Sequence, residues 1–288
     1  MKIASVLLGL CLFAATVIAE TPSVTTTAIK DGLYLLQGRG GNVMASVGDD
    51  GVLLIDSDYA NYLPAYQQAL TALGDGRARF LINTHWHGDH TGGNTYWGEQ
   101  GAVIVAHDNV RERMSSSQDN KLLGLVEPSP VAAWPMVTYD DSLALHVNGD
   151  TVEVRHYPGG HTDGDSVVFF VKANVVHLGD HFFKDRFPFV DIDSGGTVDG
   201  FIANVALLLE KISADTVIIP GHGSLANRAD LQRYYNMLVA TRAAVKSMQA
   251  EGLDLAAIQA RGLDAQWASW GGGFIKQDNW ISFIVLSP

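Results

Sequence analysis

The sequence has little cysteine, little positive charge and, beyond its first twenty residues, no long uncharged hydrophobic run. Its 288 residues include one cysteine, Cys11, and 19 Lys and Arg against 31 Asp and Glu, for a net charge of −12. An acidic surface repels phosphate backbones and anionic lipid headgroups over about 10 Å. We therefore expect a small-molecule substrate, and neither a nucleic acid nor a membrane as partner of the mature chain. The oligomeric state is left open.

The one long hydrophobic run lies at the N-terminus. Lys2 precedes sixteen residues without a charge, 3–18, and Ala19 provides a small residue before a cleavage point at Glu20. This order is typical of a secretory signal peptide. We expect residues 1–19 to be removed and the protein to be periplasmic or secreted. A retained membrane anchor is the alternative, although the run is shorter than the roughly 20 residues of a spanning helix.

Removal of residues 1–19 changes the chemistry available to the chain. The remaining residues 20–288, which we expect to form a single domain, contain no cysteine and carry a net charge of −13. No disulfide can form, although an exported protein would meet an oxidising environment. Any metal site must therefore use His, Asp or Glu.

Short apolar runs bounded by Gly and Asp predict strands in both halves of the chain. In the first half they are 33–37, 43–47, 52–56, 79–83 and 102–106, with helices predicted at 61–73 and 107–117. In the second half they are 143–147, 151–156, 166–171, 175–178 and 216–219, with helices at 198–212 and 229–250. Two halves of this kind predict an α+β fold in which two sheets pack face to face with helices outside.

The densest group of reactive side chains directly follows the predicted strand 79–83. His85, His87, Asp89 and His90 fall within six positions. On a chain leaving a strand, His85 and His87 can point to the same side, whereas Asp89 and His90 turn toward a second position. One metal fits the first pair and another the second. A histidine-rich polar loop is the alternative, but this spacing is typical of a metal site.

Three further candidate ligands stand singly, each just beyond a predicted apolar strand and beside glycine. His161 follows a Pro-Gly-Gly turn, Asp180 follows Leu-Gly, and His222 lies between two glycines. Each residue alone could simply stabilise a turn through a hydrogen bond. Their common position favours convergence on one edge of the two sheets.

With these motifs the sequence resembles the metallo-β-lactamase superfamily, over a stretch from about Leu33 to His222. The resemblance implies a four-layer αββα sandwich of two mixed sheets with outer helices. It also implies a two-metal site, usually zinc, at one edge of the sheets. Asp56, at the end of the predicted strand 52–56, resembles the structural aspartate of the family.

The resemblance further implies a ligand set with two zinc sites and one shared residue. The two sets are His85, His87 and His161 for one zinc, and Asp89, His90 and His222 for the other. Asp180 would bridge the two ions. Iron or manganese is the alternative, because His and Asp ligands accept those metals as well.

Departures from the family pattern narrow the expected activity. The best-known antibiotic-degrading subclasses use a cysteine at the position of Asp180, so the mature chain does not match them. Asp180 resembles the corresponding residue of the glyoxalase-type, lactonase and phosphodiesterase branches. Only 41 residues separate Asp180 from His222, which leaves no room for the insert of nucleic-acid-processing members.

These comparisons of motif lead to a hypothesis of metal-dependent hydrolysis. A zinc-bridging hydroxide would attack a small ester, lactone or amide ring, as in a lactonase or a β-lactamase-like enzyme, and Asp89 would be catalytic by orienting that nucleophile. The alternative is an oxidoreductase of the mononuclear iron persulfide dioxygenase type, which would leave Asp89 and His90 free. A metal-binding protein without turnover is a third reading.

Aromatic and basic residues near the motifs are candidate substrate contacts. Trp86 lies inside the histidine cluster, and Lys184 and Arg186 stand among four phenylalanines after Asp180. We expect Trp86 to form a wall and the two cations to receive a carboxylate; a separate hydrophobic cluster under a loop is the alternative. Asn94 is expected to cap a helix.

Overall fold

Two β-sheets packed face to face make up the centre of the molecule in the computed structural model, which describes residues 22–288. The predicted signal peptide, residues 1–19, lies outside the described residues. Within the described part of the chain, no helix combines the length and the apolar character that crossing a membrane requires.

The first sheet has seven strands, four from an antiparallel meander and three added in parallel. In spatial order they are β1 (Thr25–Lys30), β2 (Leu33–Gln37), β3 (Val43–Gly48), β4 (Gly51–Ile55), β5 (Ala78–Ile82), β6 (Val103–His107) and β9 (Val137–Tyr139). The sequence did not predict β1, whose residues are mostly exposed, or the three-residue β9.

The second sheet has five strands and is antiparallel except for its last pair. The strands are β10 (Ser142–Val147), β11 (Asp150–His156), β12 (Ser166–Phe170), β13 (Val175–His177) and β14 (Val217–Ile219). A separate hairpin, the 118–126 hairpin, consists of β7 (Gln118–Asn120) and β8 (Gly124–Val126).

Helices cover both outer faces of the sheets. They are α1 (Leu63–Leu73), α2 (Gly88–Thr91), α3 (Asn94–Glu99), α4 (Asp108–Met114), α5 (Val198–Lys211), α6 (Arg228–Ala250), α7 (Leu255–Arg261) and α8 (Gln277–Leu286). Side chains of α1 and α3 pack on the first sheet, and those of α5, α6 and α8 pack on the second. The predicted α+β fold, a four-layer αββα sandwich, is confirmed.

Alternation along the strands produces these layers. In β4, Leu53 and Ile55 are buried between the two sheets, whereas Val52 and Leu54 face the layer of α1. Successive strand residues point to opposite faces, so a strand that is apolar throughout is covered on both sides. Burial of each such side chain contributes about 1.5–3 kcal/mol.

The expected helix cap at Asn94 is wrong. Asn94 is the first residue of α3 and Gly93 holds the cap position. The Asn94 side chain is buried and hydrogen-bonds Asn83 and Ser57 instead, with its Nδ2 2.8 Å from Asn83 Oδ1. These tertiary partners replace the local backbone N–H groups that a cap would bind.

Candidate metal centre

Strand ends from both sheets meet at one edge and carry the candidate ligands there. His85 and His87 follow β5, and the short helix α2 then carries Asp89 and His90. His161 lies in the loop between β11 and β12. Asp180 follows β13 and His222 follows β14, which pairs with β13 in parallel. The parallel pairing explains why both residues reach the same edge.

All seven candidate ligands come together at this edge in three overlapping triads. Within each triad one ligand atom per residue lies within 4.8 Å of the others: His85, His87 and His161; His85, His90 and Asp180; and Asp89, His90 and His222. We call the first set the inner triad and the last set the outer triad. The sets match the two groups implied by the resemblance.

Asp180 is the residue that touches both triads. Its carboxylate oxygens lie 3.4 Å from His161 Nε2, 3.2 Å from His90 Nε2 and 3.4 Å from His222 Nε2. Asp180 also lies 3.8 Å from His85 Nε2. A carboxylate in that position would be shared between a cation held by each triad.

Hydrogen bonds outside the centre fix the imidazoles of the inner triad. His87 Nε2 lies 2.9 Å from Asp191 Oδ2, and His161 Nδ1 lies 2.8 Å from the carbonyl oxygen of Phe189. Because a carboxylate and a carbonyl only accept, each of these nitrogens donates its hydrogen. The other nitrogen of each ring therefore faces the centre with a lone pair, as metal binding requires.

Asp56 organises the remaining two imidazoles that follow β5. It accepts hydrogen bonds from Thr84 N and Thr84 Oγ1, both at 2.8 Å, and from His90 Nδ1 at 2.7 Å. Thr84 Oγ1 in turn lies 3.0 Å from His85 Nδ1. Asp56 has a φ of 63°, in the left-handed region where Asp is among the better tolerated residues. One buried carboxylate thus orients donors of both triads.

Several nitrogen atoms at the centre lack a suitable hydrogen-bond partner in the protein but have the lone pairs that a divalent cation needs. His85 Nε2 is buried without a hydrogen-bond partner among residues 22–288. His87 Nδ1 lies only 2.8 Å from His161 Nε2, although both nitrogens present lone pairs when the outer ring nitrogens carry the hydrogens. Leaving such groups unpaired costs about 1–3 kcal/mol each. Bound metal removes that cost.

Burial and charge act in opposite directions on the pKa values here. Burial lowers the pKa of His85 well below its usual value and that of His161 to about 4. Burial also opposes the charge on His222, but Asp180 and Asp89 outweigh it and raise its pKa to about 9. Burial would raise the pKa of Asp180, yet His222 and His90 hold it well below its usual value.

Two glycines leave the space that these ligands occupy. A Cβ atom on Gly41 would overlap the imidazole of His90, and one on Gly221 would overlap Asp180 Oδ1. The backbone at Gly41 is fixed by a hydrogen bond from its N to Asp89 O at 2.9 Å, so it cannot simply withdraw. The ligand positions therefore require glycine on both sides.

A cavity of about 550 Å³ opens onto the centre. Asp89 and His222, with side chains 23% and 17% exposed, are the partly exposed members of the ligand set that line it. His87, Gly88 and Asp180 also line it, and the rest of the wall is mainly aromatic and aliphatic, with two arginines: Arg39, Tyr59, Trp86, Leu123, Val126, Phe183, Arg186, Phe187, Phe189, Phe274 and Ile275. Cavities of this size hold small molecules.

The structure separates the three predicted substrate contacts. Trp86 and Arg186 line the cavity. Lys184 does not: its Nζ donates to Leu225 O at 2.7 Å and lies 3.3 Å from Asp230. The expectation that Lys184 contacts substrate is therefore corrected, because these partners hold its charge away from the cavity.

Sequence reasoning missed Arg39 at the cavity and Asp191 behind His87. Arg39 stands in the turn between β2 and β3, and Asp191 is the N-cap residue of a single 3-10 turn, Ile192–Ser194. Neither belongs to a motif, so only the fold reveals their positions. His181, left open by the sequence, is buried with its Nε2 3.2 Å from Asn204 Nδ2 and contacts no candidate ligand through a hydrogen bond.

Comparison with known families identifies the class of protein. The family model of the metallo-beta-lactamase superfamily matches residues 36–222, which is more than half of the chain and contains all seven candidate ligands. The chain belongs to the metallo-β-lactamase superfamily. Members of this superfamily bind divalent metals, and the His and Asp clusters described above lie inside the matched region.

Individual relatives are distant and differ in activity. The alpha subunit of 2,4-dinitroanisole O-demethylase from Nocardioides sp. (strain JS1661) is 24% identical over 238 residues, covering 81% of this chain and 68% of that protein. The DIM-1 metallo-beta-lactamase structure has a TM-score of 0.62 at 18% identity, covering 77% of this chain and 100% of that one.

A sulfatase structure covers more of the chain. A double mutant of the sec-alkyl sulfatase PisA1 has a TM-score of 0.69 at 15% identity and covers 91% of this chain. This chain spans about half of the sulfatase, 49% of its length. At such identities these structures share the fold with the protein, and the fold alone does not determine the reaction.

Proposed function

We propose that the protein is an exported hydrolase with two metal ions that opens a small ester, lactone or amide ring. The observation that carries this proposal is the shared carboxylate: Asp180 lies 3.4 Å from both His161 of the inner triad and His222 of the outer triad. Two triads joined by one acidic residue form the ligand set of a two-metal hydrolytic site.

Zinc is the metal that we propose, because His nitrogens and carboxylate oxygens are its common ligands in catalytic sites. When bound, the ions would supply a water of lowered pKa and would polarise the substrate oxygen. The triads would hold one ion each, with Asp180 between them. Iron or manganese remains the alternative.

Asp89 is the residue that we propose to orient the attacking water. Its Oδ2 lies 3.3 Å from His222 Nε2, yet its side chain is 23% exposed toward the cavity. It can therefore ligate in the outer triad and still accept a hydrogen bond from the attacking water. The water adds across the scissile C–O or C–N bond, giving an acid and an alcohol or amine, so no redox partner is needed.

The cavity wall supports a substrate with an apolar body and an anionic group. Arg39 and Arg186 line the cavity, and neither guanidinium pairs with a carboxylate of residues 22–288. Five arginines elsewhere do pair with one: Arg113, Arg155, Arg233, Arg242 and Arg261. An unpaired arginine beside an apolar wall is well placed to bind a carboxylate or sulfate. We propose a small molecule of this kind rather than a nucleic acid.

The test is metal analysis and turnover on one preparation of the protein. The panel holds a cephalosporin, a homoserine lactone, a thioester and a phosphodiester. The relatives add a secondary alkyl sulfate and 2,4-dinitroanisole. About two zinc ions with one preferred substrate class would support the proposal, whereas bound metal without turnover on any member would contradict it.

The oxidoreductase alternative predicts a different result from the same preparation. It requires one iron ion, with oxygen uptake on a persulfide. The close approach of His90, Asp89 and His222 disfavours it, since the three donor atoms lie within 4.8 Å and would otherwise remain without a role. A single iron ion and oxygen uptake would overturn the hydrolase proposal.

Export is proposed from the sequence of residues 1–19. The check is N-terminal sequencing of the protein recovered from the periplasm or the medium. A mature chain that begins at Glu20 supports the proposal; a chain that retains Met1 in the membrane fraction contradicts it.

A further inference from the structure

The 118–126 hairpin lies over the cavity and has little structure of its own. Leu123 and Val126 line the cavity, while Leu125 at the hairpin is 66% exposed. Its strands β7 and β8 have three residues each, and a two-stranded hairpin alone is marginally stable in water. Contacts with the rest of the protein must therefore hold it in place.

Asn120 makes a buried contact that holds the hairpin, in addition to hydrogen bonds between Gln118 and Arg113 and between Lys121 and Asp193. Asn120 is 3% exposed, and its Nδ2 donates to Asp191 Oδ1 at 2.6 Å. Its Oδ1 accepts from the backbone N of Leu122 and of Leu123, both at 2.9 Å. One amide side chain thus shapes the turn of the hairpin and ties it to Asp191.

Asp191 connects the same contact to two metal ligands. While Oδ1 binds Asn120, Oδ2 accepts from His87 Nε2 at 2.9 Å. The backbone N of Asp191 donates to His161 O at 2.9 Å. An unbroken series of hydrogen bonds therefore runs from the hairpin that covers the substrate cavity to the inner triad.

We propose that Asn120 and Asp191 are positioning residues that couple the 118–126 hairpin to the metal ligand His87. Asp191 fixes the ring orientation in which His87 Nδ1 faces the centre. Asn120 holds Asp191 together with Ser194, whose backbone N also donates to Asp191 Oδ1 at 3.1 Å. Since coupling between sites is reciprocal, metal binding at the inner triad also restrains the hairpin. This inference rests on the proposed metal centre but not on the identity of the substrate.

The first test measures zinc affinity of the full chain by titration against a competing chelator. Asp191→Asn is expected to weaken binding of the tighter zinc by about 10- to 100-fold. Asn120→Ala is expected to weaken it by about three- to tenfold, the effect of one hydrogen bond. The matched control is Lys121→Ala: Lys121 is 88% exposed and binds Asp193, outside the path to His87. It should leave the affinity unchanged.

The double variant separates one shared path from two independent effects. If Asn120 acts through Asp191, Asn120→Ala adds little to the loss already caused by Asp191→Asn. Multiplicative losses, or parent affinity in Asn120→Ala, would overturn the proposal.

A second measurement needs no variant and so does not depend on variants folding. Hydrogen exchange of the Leu122 and Leu123 amides is followed in the parent protein with and without zinc. Slower exchange with zinc supports the coupling, and equal exchange overturns it. If the parent protein shows this coupling but turns over no substrate, only the proposed hydrolase function is contradicted. If the parent protein binds no zinc, both the hydrolase function and the coupling are overturned.

Discussion

Two histidines of the inner triad, His85 and His161, and two of the outer triad, His90 and His222, are held in opposite protonation states. In the inner triad, burial lowers the pKa of His85 and His161, so both rings are neutral at pH 7. In the outer triad, burial opposes the charge, but nearby carboxylates raise the pKa of His90 and His222, so both rings are protonated. His85 and His161 can therefore bind a metal without losing a proton. His90 and His222 must each release a proton first.

The difference follows from the number of carboxylates around each set. His90 contacts Asp56, Asp89 and Asp180, all within 3.8 Å. Among residues 22–288, Asp180 is the one carboxylate at a comparable distance from His161. Burial lowers the pKa of a histidine, and one nearby carboxylate does not reverse that effect in His161. The three carboxylates around His90 do reverse it. The comparison teaches that the protonation state of otherwise similar histidines is set by the carboxylates around them.

The largest expected effect comes from removing the residue that joins the two triads. Asp180→Ala should weaken binding of both metals and lower turnover by more than about 100-fold, because loss of even a ligand's hydrogen-bond partner costs about 10- to 100-fold. Elemental analysis and turnover are the measurements. Asp185→Ala, at an exposed residue that pairs with Arg233, is the control. Full turnover by Asp180→Ala would refute the metal assignment.

Removing one ligand at a time, from one triad or from the other, should distinguish the metal bound by the inner triad from that bound by the outer triad. His222→Ala is expected to keep about one metal ion, because the inner triad is intact, and to lose about 100-fold or more in turnover. His161→Ala should instead lose the tighter ion. Metal stoichiometry with dissociation constants provides the check; equal losses in the two variants would show that the triads do not bind independently.

The pH dependence of metal binding sharpens the same contrast. In the metal-free protein His222, with a pKa of about 9, carries a proton at pH 7 that metal must displace. Outer-site affinity should therefore rise about tenfold per pH unit between pH 6 and 9 for each proton released. Inner-site affinity should change less, because His161 has a pKa of about 4. Chelator titrations at several pH values test this, and equal slopes at the two sites would contradict it.

The smallest expected effect concerns the two cations after Asp180. Arg186→Ala should raise the KM for anionic substrates by about tenfold, the effect of one charged hydrogen bond, and leave neutral substrates unaffected. Lys184→Ala is the matched control, since Lys184 binds Leu225 and Asp230 outside the cavity. Steady-state kinetics on substrate pairs that differ in one carboxylate provide the test. An equal change for both substrates would exclude the charge role.

The sequence predicted the sandwich and all seven residues that the structure gathers at one edge. Those residues belong to short motifs or stand at ends of apolar strands, and both signals are local. Asp191 and Arg39 carry no such signal, because their roles arise from loops that approach the centre only after folding. Lys184 and Asn94 show the opposite error. The local sequence predicted a substrate contact for Lys184 and a helix cap for Asn94, but each side chain binds partners distant in sequence instead.

Gly41 and Gly221 determine where this protein can vary. Any side chain at either position would displace His90 or Asp180, so these two positions accept only glycine. Leu123 and Phe274 of the cavity wall are under no such restriction, since both are exposed and neither is a candidate ligand. Substitutions in the cavity wall can therefore change which substrate fits without moving the metal ligands.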